Sequence, residues 1–107
     1  MEPLLVLTNV PDQATAEKLA RMLIESHAAA CVNVLPAGRS IYRWQGRVEQ
    51  ADEIPLMIKS TAASYAAVEK IVRAHHPYDV PELIAIPITH GLPAYLDWLA
   101  QETERHD

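Results

Sequence analysis

The stretch His75-His76-Pro77-Tyr78-Asp79-Val80-Pro81-Glu82-Leu83 gathers imidazole and carboxylate groups at one point of the chain. Such donors suit Cu(II) or Zn, and the affinity order of divalent first-row metals favours Cu(II). His76 is the better ligand candidate of the two histidines, because a turn at Pro77 would bring Asp79 or Glu82 near it. Adjacent helical residues point ~100° apart and do not chelate one ion from one face. The same residues also read as architecture: two histidines close an amphipathic segment, a proline stops it, and an apolar strand follows. On that reading His75 continues the apolar stripe as a half-buried residue. His76 sits in the last helical turn, where a positive imidazole suits the helix C-terminus. Nearly any corner of this kind binds Cu(II) weakly, so binding alone does not define a function.

Cys31 is the one cysteine. Its thiolate suits Cu(I), yet free cysteine is also among the most buried residue types. A single cysteine excludes an intramolecular disulfide and any site of several thiolates within one chain. Three thiols would converge if a threefold axis lay near it. A free thiol fits a reducing compartment. Tyr42 and Trp44 read as a ligand pocket or as an intersubunit core, and aromatic enrichment at interface centres favours the second. Lys59 and Glu53 read as a pair across an interface or as solvated charges. Tyr78 and Trp98 read as packing residues, and His27, His90 and His106 as surface residues. No catalytic constellation stands out: glycine occurs only at 38, 46 and 91, no His-Glu-x-x-His run exists, and Ser40 and Ser64 lack a base partner. An enzyme is not expected.

The elements that must hold these residues come from one domain spanning 1–107. Half the residues are apolar and phenylalanine is absent, so the core is aliphatic. The net charge of −5 and scattered basic residues argue against nucleic acid. No run approaches the ~20 apolar residues of a membrane span. The first residues lack a basic region and a long apolar stretch. A soluble cytoplasmic protein is expected.

Leu4 to Val10 reads as a strand, ended by Pro11-Asp12. Asp12 reads as the N-cap of a helix from Gln13 to His27, with Ala16, Leu19, Ala20, Leu23 and Ile24 on its apolar face. Cys31 to Leu35 is a strand, interrupted at Pro36-Ala37-Gly38 and resumed from Ser40 to Trp44. Gln45-Gly46 is a turn, with glycine where a positive φ is needed. The chain returns through Ile54, Leu56 and Ile58, and Pro55 marks an edge or bulge. Ser60 or Thr61 caps a second helix that Pro77 ends. Leu83 to Ile88 is the last strand, and a C-terminal helix runs from Leu92 or Pro93 to Glu104. The order β-α-β-β-α-β with split crossovers gives an α+β, ferredoxin-like antiparallel sheet with both helices on one face.

One dimension exceeds a compact monomer. Cys31 to Trp44 would extend about 45 Å at ~3.3 Å per residue. A domain of this size has a radius of gyration of about 13 Å and so a diameter of about 35 Å. The long central hairpin should therefore project. It carries Ile41, Tyr42 and Trp44, and an exposed apolar hairpin invites pairing with another chain. A homo-oligomer in which it docks on a neighbour is expected.

Taken together, several segments resemble the CutA family of divalent-cation tolerance proteins. They are Ala28-Ala29-Ala30-Cys31-Val32-Asn33-Val34-Leu35-Pro36, Ser40-Ile41-Tyr42-Arg43-Trp44-Gln45-Gly46, Leu56-Met57-Ile58-Lys59-Ser60, His76 to Leu83, and Gly91 with Tyr95-Leu96 and Trp98. The likeness runs in order over nearly the whole chain. It implies a homotrimer with interlocked hairpins, built like the P-II-type regulatory proteins, and an association with copper binding and copper tolerance. Asp79 stands where the family usually has Glu, and Leu83 where Ile is common. Pro55 replaces an open position in the third strand. The function expected is divalent-cation tolerance with copper as Cu(II) or Cu(I), and metal contacts at Cys31, His76, Asp79 and Glu82. The alternatives are a P-II-like module that binds a small effector or a protein partner, and a trimeric scaffold.

Overall fold

The computed structural model describes residues 1–104; His106 lies outside them. Strand β1 (Pro3–Val10) leads into helix α1 (Gln13–Glu25). The Asp12 carboxylate accepts from the Thr15 N–H at 2.8 Å and caps that helix as expected. The helix stops two residues earlier than its apolar pattern implied. His27, at φ 62°, takes the left-handed place after the helix end that glycine or asparagine more often fills. Ala28 to Ala30 then pass through the core, held by the Ser60 hydroxyl donating to the Ala28 carbonyl at 2.6 Å.

Strands β2 (Cys31–Val34) and β3 (Gly38–Trp44) both pair with β4 (Arg47–Thr61). After a short 3-10 turn capped by Thr61 come α2 (Tyr65–His75), β5 (Ile84–Pro87) and α3 (Pro93–Glu102). The sheet order is β2-β4-β1-β5, with β3 continuing the β2 side of β4. All pairings are antiparallel. This is the ferredoxin-like arrangement the element order predicts.

Of the two settings expected for Pro55, edge or bulge, the structure shows the second: three residues, 35–37, face 54–55. Pro55 lies inside β4, opposite Asn9, at the break between the β2 and β3 pairings. The Leu35 N–H reaches the Pro55 carbonyl at 3.0 Å, so the ring nitrogen faces the same gap. The missing donor falls where no ladder partner stands.

Alternation sets the core. Val6, Thr8 and Val10 of β1 and Leu56, Ile58 and Ser60 of β4 are buried against Ala16, Leu19 and Leu23 of α1 and Val68 and Val72 of α2. The opposite face stays open. There Leu5 lies between Ile86 and Lys59, and Leu7 between Ile84 and Met57; both isoleucines are exposed. Helix α3 packs at the end of the sheet away from the hairpin, where the Ser64 hydroxyl donates to the Thr103 carbonyl and His27 Nδ1 meets the Glu102 carbonyl. Of its apolar residues Leu99 is buried and Leu96 half-buried, and Tyr95 and Trp98 stay exposed.

The hairpin projects. Gln45 and Gly46 both have positive φ, at 50° and 80°, the two-residue loop that matches strand twist. Every residue from 41 to 50 is exposed, Ile41 at 69%. The molecule measures 44 × 28 × 23 Å, longer than the about 35 Å expected of a compact chain of this size.

Candidate functional site: the corner beneath the hairpin

Pro77 forces His76 out of the helix, and its backbone is extended at φ −83°, ψ 133°. This swings the imidazole inward beneath the following loop. The ring is buried, at 7% exposure. Its Nε2 lies 2.7 Å from the Asn9 carbonyl, and its Nδ1 accepts from the Tyr78 N–H at 3.2 Å. A carbonyl can only accept and an amide N–H can only donate. The partners therefore assign the neutral tautomer with its proton on Nε2. Both nitrogens are engaged by backbone. A metal at either would displace one of these hydrogen bonds, so His76 acts as a brace between α2, β1 and the loop.

His75 was expected half-buried and is exposed. The helix ends at that residue, and the inward position passes to His76.

Two further ties lay the loop across the end of β1. The Thr8 hydroxyl donates to the Glu82 carbonyl at 2.6 Å, and the Asn9 amide donates to the Glu82 carboxylate at 3.2 Å. Tyr78 stacks at a tilt on His76, with centroids 4.8 Å apart. Its hydroxyl donates to Glu53 at 3.1 Å. Loss of hydration pushes the Tyr78 phenol above its ordinary range; its bond to Glu53 and the Glu53 charge add to this, with smaller contributions from Tyr42 and Asp12. It therefore stays a neutral donor.

Loop and hairpin enclose a groove of about 730 Å³. Tyr42, Trp44 and Tyr78 supply aromatic walls, and Glu53, Asp79 and Glu82 supply carboxylates. Asp79 and Glu82 are exposed at the rim, while Glu53 is nine-tenths buried. Among the described residues no Lys, Arg or His lines the groove.

The four candidate metal ligands do not form one cluster in the chain. Asp79 and Glu82 share the groove rim, and His76 sits beneath the same loop. Cys31 is elsewhere. It lies opposite Lys59, and Lys59 opposite Leu5, whereas the corner is tied to Asn9, four positions along β1. That offset is about 13 Å along the strand direction. Cys31 is half-buried on the open sheet face, near Tyr95, whose phenol is raised by burial and then by the Cys31 thiol. Among the described residues, no three His, Cys, Asp or Glu side chains converge as a metal-holding group.

Ile41, Tyr42 and Trp44 lie on the exposed hairpin and line the groove as well. Lys59 and Glu53 do not pair within the chain: Lys59 bonds Asn33, and Glu53 takes the Tyr78 hydroxyl. Sequence reading missed Asn9 and Thr8 as loop anchors and Glu53 as a groove residue. The available signals were a polar pair closing an apolar run and a carboxylate at the start of an alternating strand.

No helix among the described residues is long and apolar enough to cross a membrane. Residues 4–102 match the family model described as CutA1 divalent ion tolerance protein. The divalent-cation tolerance protein CutA of Thermus thermophilus is 45% identical over 98 residues, covering 92% of this chain and 95% of that protein. The solved CutA1 structure from Oryza sativa superposes with a TM-score of 0.94 at 38% identity, covering 97% of this chain and 95% of that one. A structure from Archaeoglobus fulgidus, described as a periplasmic divalent cation tolerance protein CutA, gives 0.91 at 35% identity, covering 97% and 100%. The match takes in every strand and helix and the whole corner from His76 to Glu82, and on that extent the chain belongs to the CutA1 divalent ion tolerance family.

Proposed function

We propose that the chain is a non-enzymatic, homotrimeric divalent-cation tolerance protein that binds copper or a similar divalent metal as part of a response to metal ions. The observation that carries the metal reading is the groove: three carboxylates line one concavity, and among the described residues no cationic side chain lines it beside them. Asp79 and Glu82 offer oxygen donors at an open rim. Among divalent first-row ions Cu(II) binds a given oxygen or nitrogen site most tightly. His76 holds the rim in place rather than offering a free nitrogen. Cys31 is a separate point on the open face, where a soft thiolate would suit Cu(I) if copies bring it together with others. Its free thiol also favours a reducing, cytoplasmic setting.

The trimer reading rests on the exposed hairpin and the uncovered band of Leu5, Leu7, Met57, Ile84 and Ile86. The test of the metal reading is calorimetric titration of chelator-stripped protein with Cu(II). Saturable binding is expected, weakened at least tenfold in the Asp79→Asn, Glu82→Gln double variant and unchanged in Cys31→Ser. Binding insensitive to the double variant would overturn the rim assignment.

A second reading is favoured by the size of the groove. Its volume falls within the ~300–1,000 Å³ of small-molecule sites. On that reading the chain is a regulatory module of P-II-like build that takes a small effector.

A further inference from the structure

The groove selects the charge of any effector it takes. Its walls carry three aromatic faces, and its polar groups include three carboxylates. Glu53 is the decisive one. It is nine-tenths buried, and among the described residues the one ion pair is Arg39 with Asp52. Its hydrogen-bond partner is the neutral Tyr78 hydroxyl, on Oε2. The described residues contain no buried side-chain oxygen or nitrogen without a partner, so its second oxygen opens to the groove. Glu53 therefore presents an oxygen to the groove, and among the described residues no cationic side chain lines the groove to meet it. An anionic nucleotide or carboxylate metabolite would add like charge to this site.

The geometry points to a small organic cation, with a quaternary or primary ammonium head and a short apolar body, as the ligand of this groove. The inference rests on the second reading above, that the groove takes a small effector. Aromatic faces attract an ammonium through their ring quadrupoles, and the attraction grows when the cation is desolvated. The Trp44 and Tyr42 faces would receive the head, and Glu53 would neutralise it from the floor. A trimethylammonium head has no lone pair and no N–H, so it needs no directed hydrogen bond from the walls. Tyr78 donates to Glu53 as a neutral hydroxyl and adds no charge of its own to the site.

The experiment is calorimetric titration of the full chain, in its native assembly, with choline and with 3,3-dimethyl-1-butanol. The second compound has the same shape and no charge. Saturable choline binding is expected, at least tenfold tighter than that of the neutral compound. It should weaken at least tenfold in Glu53→Gln and in Trp44→Ala, each checked for unchanged native mass by light scattering. Equal binding of both compounds would keep the groove as an effector site and overturn the cation assignment. Absence of binding by either, or choline binding indifferent to Glu53→Gln, would overturn the inference as a whole. Choline offers no metal site, so these outcomes are independent of the copper titration.

Discussion

His76 shows how one residue can be read two ways and resolved by its partners. An imidazole beside carboxylates has the chemistry of a copper ligand, and the surrounding backbone uses both of its nitrogens. The bond to Asn9 fixes the loop to β1, and the bond from Tyr78 fixes the turn that follows. Replacing His76 by Ala leaves the part-buried Asn9 carbonyl and the Tyr78 amide without these partners. A loss of roughly 1–3 kcal/mol is expected from such a group, measured as a lower midpoint in denaturant melts. Tyr78 makes a prediction with a defined sign. Its folded value is raised, so the fold favours the protonated phenol. That contribution is complete below the unfolded value of about 10 and is lost as pH rises through the folded value. Thermal melts should show wild type ahead of Tyr78→Phe at neutral pH, with the lead shrinking above that point. A lead that grows with pH would contradict the Glu53 contact.

At the scale of elements, most of the fold was legible because local chemistry and periodicity agree. Asp12 caps where a cap was expected, Pro77 ends α2, and alternation in β1 and β4 sorts the two sheet faces. The gaps have physical causes. Pro55 fitted an edge or a bulge equally, because a sequence shows a missing donor without showing where the neighbouring strand breaks; the register places it at the bulge. His75 and His76 exchanged burial because one pre-proline residue rotates the chain out of the helical period. The groove was legible only in parts: Asp79, Glu82, Tyr42 and Trp44 were singled out, but Glu53 enters through β4, far away in sequence. The hairpin turn was legible at Gly46 and less so at Gln45, which also takes a positive φ. Gly46→Ala should cost roughly 1–2 kcal/mol, the left-handed penalty of a side chain, read from chemical denaturation. An unchanged midpoint would mean that the tip frays without coupling to the sheet.

The whole molecule is unfinished as a single chain. Its long axis is set by a hairpin whose residues from 41 to 50 are all exposed. One face of its sheet leaves Ile84 and Ile86 in solvent, and Tyr95 and Trp98 of α3 are uncovered as well. Exposed apolar areas of this kind mark interaction surfaces. Covering them with copies of the same chain would remove them and would bring Cys31 faces into a shared environment. The metal and effector readings of the groove both assume that assembly, since the hairpin that forms one wall is otherwise held only by its pairing along β4. The most direct measurement is the native mass in solution by multi-angle light scattering at micromolar concentration. The account predicts three times the 11.9 kDa chain, stable on dilution; a monomeric mass would contradict it.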